Sequence, residues 1–268
     1  MTDHRPPTAL PSASPHTRKR FALTGHSTAV DPRVEAARGD LADVRLADRI
    51  FAPHYAAPVG RTAIAQTPLL AAHGGEPVSE LLKGERFDVL ELSHGYAWGV
   101  GAADGAVGFV AMDALGPPED VTHIVCGASS SFPIGTQLTA IEAEQTEAAT
   151  IRPLEAPAKD YVAIAESLVG VPVLGGGRSG QGVDAAGLVV LSLSIAGLKA
   201  PRFVDLQAAT LGHEISSGAP ILRGDLLFSE ESVAIAADEA SAIYADDTAV
   251  VHAPIAAFGP ITIRRRLP

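Results

Sequence analysis

The period of apolar and polar positions changes twice along this chain. Up to about residue 28 there is little apolar pattern, and Pro6, Pro7, Pro11 and Pro15 interrupt it. Such a stretch cannot bury enough surface to offset the entropy of ordering, so residues 1–28 are expected to form a mobile tail. Residues 29–50 follow, in which Val34, Ala36, Ala37, Leu41, Ala42, Val44 and Leu46 are spaced for a packed extension or a short helix that clamps one domain to another. From 51 to 118 the segments 62–66, 87–92, 96–100 and 106–110 alternate or run apolar between turns rich in Gly and Asp, which predicts a small all-β barrel. Segments 122–126, 137–143 and 148–152 predict a second, shorter β-rich unit over 119–156, too short for a barrel of its own.

Beyond residue 157 the period becomes helical. Tyr161, Ile164, Ala165 and Leu168 recur behind Asp160, a good N-cap, and a second helix over 184–196 stops at Gly197, a good C-terminal glycine. Strands are expected at 225–228, 232–236, 242–245 and 261–264. Helices first and a run of strands after define an α+β domain.

A chain of 268 residues with 47% apolar and 19% charged residues can build two or three small cores. Its net charge of −11 argues against phosphate backbones and anionic membrane surfaces, so no nucleic acid or membrane partner is expected. Cys126 is the one cysteine, which rules out an intramolecular disulfide and a cysteine-based metal knuckle; within the strand expected at 122–126 it reads as a buried, inert thiol. The N-terminus lacks the apolar core of a secretory signal, and no run approaches the roughly 20 apolar residues that span a bilayer, so the cytoplasm is the expected location. His213 and His252 have no partner at metal-ligand spacing and read as solvated loop residues, so neither a metal nor a cofactor is expected. The glycines from Gly175 to Gly182 precede a helix but lack the Gly-Lys-Ser/Thr ending of a phosphate loop.

Taken in order, Gly175-Gly176-Gly177-Arg178-Ser179-Gly180, Gly182-Val183-Asp184-Ala185-Ala186-Gly187-Leu188-Val189, Ala200-Pro201-Arg202, Asp205-Leu206-Gln207 and Leu222-Arg223-Gly224-Asp225-Leu226-Leu227-Phe228 resemble the NlpC/P60 family of cell-wall cysteine peptidases. In that family a Gly-Gly-Arg loop leads into Asp-Cys-Ser-Gly-Leu and later into Arg-Arg-Gly-Asp-Leu-Val-Phe. Upstream, Leu82-Lys83-Gly84-Glu85-Arg86-Phe87-Asp88-Val89, with Gly95-Tyr96-Ala97-Trp98 and Gly108-Phe109-Val110, resembles a bacterial SH3 domain. The resemblance implies a papain-like α+β domain over 157–268, preceded by small all-β SH3-like barrels. The usual binding surface of such barrels is an aromatic pair on the rim, which makes Tyr96 and Trp98 ligand-binding candidates and leaves Phe109 to the core.

A cysteine peptidase needs a thiolate, a base to form it and a group that orients the base, and a helix N-terminus lowers the thiol pKa. The resemblance places Ala185 at the cysteine position, Ser232 at the histidine position and Tyr244 at the third polar position. Alanine cannot attack a carbonyl, serine is no base near neutral pH, and Tyr244 has no imidazole to orient. Neither Ser229 nor Ser232 has a base beside it in the motif, which removes a hydroxyl nucleophile. In relatives with SH3 domains the Asp before the nucleophile binds the free amine of the peptide, so Asp184 reads either as a ligand contact or as a helix N-cap. Arg202 reads as a ligand contact or as a solvated loop charge.

The expectation is a catalytically inactive relative with a binding or regulatory role, toward a muropeptide-like ligand or a protein partner. The alternatives are an active hydrolase using other residues, and a structural role if Phe203, Val204 and Tyr244 fill the former cleft.

Overall fold

The computed structural model describes residues 29–127 and 131–268, so the tail expected over 1–28 lies outside the described residues. The extension forms a strand rather than a helix: β1 (Leu41–Asp43) pairs in parallel with β2 (His54–Ala56), and a single 3-10 turn follows at Val44–Leu46. It clamps both neighbours. Val107 N donates to Arg33 O at 2.8 Å on one side. On the other, the Arg33 guanidinium meets Asp205 at 2.6 Å and lies 4.6 Å above the centroid of the Phe203 ring.

The SH3-like domain is one antiparallel sheet. Its strands are β3 (Val59–Ala63), β4 (Thr67–Leu70), β5 (Pro77–Leu81), β6 (Arg86–Ser93), β7 (Tyr96–Gly101), β8 (Val107–Ala111) and β9 (Leu115–Gly116), ordered β5-β4-β8-β7-β6-β3-β9. Ala63, Leu69, Leu81, Phe87 and Val110 form its core. Strands β4 and β5 escape the sequence pattern because they are short and carry Pro68 and Pro77, residues that weaken a strand reading. Phe109, expected in the core, is half-buried and packs instead against the separate cluster of Ala36, Leu90 and Trp98.

In the middle unit β10 (Val121–Val125) lies between β11 (Gln137–Thr139) and β12 (Ile151–Pro153). The strand expected over 137–143 breaks after Thr139 into the short helix α1 (Ala140–Glu144). Thr139 and Glu142 form a reciprocal capping box there, so local side-chain bonding outweighs the β pattern. Cys126 follows β10 rather than lying within it; it is half-buried, with its thiol 3.4 Å from Thr150 O.

The C-terminal domain opens with α2 (Tyr161–Ser167), capped by Asp160 as expected. The hairpin β13 (Arg178–Ser179) and β14 (Gly182–Val183) leads into α3 (Ala185–Ile195), and α4 (Val204–Thr210) follows. The sheet contains β15 (His213–Glu214), β16 (Leu226–Phe228), β17 (Val233–Ala236), β18 (Ser241–Ala245) and β19 (Val250–Pro254). After the one-turn helix α5 (Ile255–Phe258) comes β20 (Ile263–Arg266), and the order is β15-β20-β16-β17-β18-β19. His213 and His252 are exposed, on strands β15 and β19 rather than in loops.

Helix α3 is apolar on every face because it is enclosed on every face. Leu188, Leu191, Leu193 and Ile195 pack with Leu226, Phe228, Val233, Ile235 and Ile243 of the sheet, each burial contributing on the order of 2 kcal/mol. A Cβ at Gly187 would sit 2.0 Å from Gly177 O, so only glycine lets the helix approach the preceding loop this closely. The helix ends at Gly197, whose φ of +75° suits a glycine after the last turn.

Candidate functional site

The site is built where α3 begins. Asp184 caps the helix: its Oδ1 accepts from Gly187 N at 2.8 Å, and its Oδ2 accepts from Gly176 N at 3.0 Å. Arg202 then closes on both oxygens, with Nη1 at 3.0 Å from Oδ1 and Nη2 at 2.5 Å from Oδ2. With two backbone donors and a bidentate guanidinium on it, this carboxylate caps the helix, while its side chain, 29% exposed, also borders a cavity. Arg202 is 2% exposed, which corrects the solvated-loop reading, and its guanidinium pairs with Asp184 at the border of a cavity. Its backbone N donates to Asp104 O at 3.0 Å, tying the site to the SH3-like domain. Gln207 is fully buried and holds α3 against α4, its Nε2 donating to Ala186 O at 3.1 Å and Pro201 O at 2.9 Å.

Ala185, Ser232 and Tyr244, distant in sequence, line one cavity of about 700 Å³ with Val173, Glu231, Asp247 and Phe258. A second cavity of about 400 Å³ lies on the other side of Ala185, bordered by Pro77, Val78, Asp184, Arg202, Phe203 and Val204. Ala185 and Glu231 border both, so they form a single groove over the start of α3. Phe203, Val204 and Tyr244 line this groove without filling it. Its lining supplies hydroxyls, carboxylates and one paired guanidinium, and among the described residues no thiol or imidazole.

Tyr96 and Trp98 do not make a rim pair. Trp98 is 5% exposed, packed with Ala36 and Leu90 beneath Arg38, whose guanidinium carbon lies 4.4 Å above the ring centroid. The extension therefore covers the face on which the tryptophan was expected to bind. Tyr96 is half-buried and stacks with His73 at 5.0 Å.

Arg178 is the residue whose role the sequence does not disclose. It is 0% exposed and grips Glu85 through both terminal nitrogens, while its Nε lies 3.2 Å from Asp104. Its backbone N donates to Glu80 at 2.6 Å. Burial alone would pull this guanidinium down, but the carboxylates of Glu85 and Asp104 outweigh it and raise it. The hairpin that leads into α3 is thus locked to the SH3-like domain by an enclosed charge cluster.

A groove over the N-terminus of a buried helix, backed by an antiparallel sheet and flanked by an SH3-type domain, defines an α+β papain-like architecture. Residues 170–264 match the NlpC/P60 family, and residues 71–115 match the bacterial dipeptidyl-peptidase Sh3 domain. Residues 170–264 are therefore similar to the NlpC/P60 family in sequence and in fold. A NlpC/P60 family protein from Bacillus cereus ATCC 10987 superposes with a TM-score of 0.65 at 14% identity, over 78% of this chain and 100% of that one. A NlpC/P60 endopeptidase from Photobacterium damselae subsp. piscicida gives a TM-score of 0.52 at 12% identity, over 76% of this chain and 65% of that one. RipD from Mycobacterium tuberculosis, a non-catalytic NlpC/P60 domain protein adapted to peptidoglycan binding, gives a TM-score of 0.35 at 24% identity over 41% of this chain and 95% of that one. The first two of these likenesses establish the fold. No curated protein matches the chain in sequence.

Proposed function

We propose that this chain is a non-catalytic NlpC/P60 protein that binds a peptidoglycan-type peptide in the groove over Ala185. The observation that carries this reading is the open cavity of about 700 Å³ that Ala185, Ser232 and Tyr244 share. A groove kept open, with an alanine where a nucleophile would stand, retains the means to hold a peptide and lacks the means to cut it. The peptide class follows from the family resemblance, whose active members cut γ-D-glutamyl bonds to a diamino acid. A purely structural role fits less well, because Phe203, Val204 and Tyr244 leave the groove unfilled.

The test is calorimetry with L-Ala-γ-D-Glu-diaminopimelate, with the same sample assayed for free diaminopimelate by chromatography. Saturable binding without product is expected. Turnover would overturn the non-catalytic reading, and absence of heat would overturn peptide binding.

A further inference from the structure

We infer that a cavity at the domain boundary, separate from the groove, is a site for a small, flat heteroaromatic ring that carries an N–H donor, an inference independent of the peptide-binding reading above. The cavity, of about 310 Å³, lies between the β4–β5 hairpin of the SH3-like domain and the glycine loop that precedes β13. Pro68 and Pro77 line it from the hairpin, and Leu174 and Gly175 line it from the loop. Gly176 and Pro77 border both this cavity and the groove over Ala185, and their contact closes the way between the two. A Cβ on Gly176 would lie 2.7 Å from Pro77 O, so nothing passes there.

Gln66 carries the argument. Its Nε2 donates to Glu80 Oε2 at 2.6 Å and to Ser179 Oγ at 2.9 Å. These bonds fix which end of the amide is the oxygen, because the reverse orientation would set a carbonyl oxygen against the carboxylate, two acceptors with no proton between them. The Oε1 of Gln66 is left buried at the cavity lining, with no hydrogen-bond partner among the described residues. A buried acceptor without a donor is costly, and an N–H brought into the cavity removes that cost.

The rest of the lining selects shape and charge. Two proline rings, Leu174 and the bare backbone of Gly175, Gly176 and Gly177 present flat, largely apolar surface, in a volume at the lower end of small-molecule sites. Glu80, 6% exposed, puts a carboxylate on the lining, and no lysine, arginine or histidine joins it among the described residues. The guanidinium of Arg178, whose backbone N holds Glu80, is already met by Glu85 and Asp104. An anion is therefore disfavoured and a neutral donor fits. At Gly175 a Cβ would meet nothing within 4 Å, and its φ lies outside the left-handed region, so a side chain has room there.

The probes are indole, benzofuran, which has the same shape with an oxygen in place of the N–H, and indole-3-acetate, each titrated into the isotope-labelled full chain and followed by amide NMR shifts. Indole is expected to shift the Gln66 side-chain amide and the backbone amides of Gly175, Gly176 and Gly177 saturably, and to bind about tenfold more tightly than benzofuran. Indole-3-acetate, an anion, is expected to bind more weakly than indole. Gly175→Trp, which fills the cavity from its open side, is expected to fold by circular dichroism and to lose the indole shifts. Equal affinity for indole and benzofuran would overturn recognition of the N–H, and tighter binding of indole-3-acetate would overturn the charge argument. No binding of indole, shifts confined to other residues, or unchanged binding by folded Gly175→Trp would overturn the site. If that variant does not fold, the three probes on the unaltered chain still decide.

Discussion

Arg178 and Glu85, on opposite sides of the domain boundary, form a bidentate ion pair with side-chain exposures of 0% and 3%. Removing the cation would leave Glu85 and Asp104 buried without a counter-charge. Arg178→Met is therefore expected to lower the unfolding free energy by about 3–5 kcal/mol, measured by urea denaturation. Adding Glu85→Gln should cost less than the sum of the two single changes, because the carboxylate that the first change strands is neutralised by the second.

Restoring sulfur alone should not restore chemistry. In a Cys126→Ser background, Ala185→Cys is expected to give a thiol that iodoacetamide alkylates, with no peptide turnover, since neither Ser232 nor Tyr244 can take its proton. Adding Ser232→His should shift the pH profile of alkylation to lower pH, as an imidazolium stabilises the thiolate. Turnover by the single variant would show that another group in the groove serves as base.

Asp225 gives a pH-dependent contribution to stability. Burial pushes its carboxyl up, but hydrogen bonds from Arg266 and from Leu222 N, with the charges of Arg266 and Arg264, pull it further down, so its folded value lies below the ordinary one. A depressed folded value means that the stabilisation is complete above the unfolded pKa, about 3.9, and is lost as pH falls through the folded value. Asp225→Asn should therefore be less stable than the parent at neutral pH, with the gap narrowing below about pH 4 in acid titrations followed by circular dichroism.

Trp98 is the single tryptophan of the chain and lies under Ala36 and Arg38 of the extension. Its emission should be blue-shifted in the native protein, and truncation through residue 38 should shift it to the red without abolishing the fold. Trp98→Ala should cost about 3–5 kcal/mol and leave peptide affinity unchanged. Lost affinity with retained stability would return the tryptophan to the binding surface.

The sequence discloses what is local. Asp160, Asp184 and Gly197 mark helix ends through bonds to residues a few positions away, and the structure finds all three where the pattern puts them. Ala185, Ser232 and Tyr244 are singled out by the family resemblance rather than by the pattern, and the structure has Ala185 at the start of α3, Ser232 just before β17 and Tyr244 within β18. What the pattern hides depends on partners far along the chain. Arg178 looks like part of a glycine loop until Glu85 and Asp104 arrive from the other domain, and Arg202 looks like a surface charge until it meets Asp184. Trp98 reads as a rim residue because its cover, residues 36 and 38, comes from a segment with weak periodicity. Helix α4 was missed for a similar reason: it is short, starts without a side-chain cap, and is held by the buried amide of Gln207.

The approach of α3 to the loop before it, with no room for a methyl group at position 187, sets the character of the groove floor. A floor with no slack cannot reshape itself around an occupant. For a peptide bound as proposed, the conformational entropy lost on binding then falls mostly on the incoming molecule, which favours short, stiff peptides over long, flexible ones of the same composition.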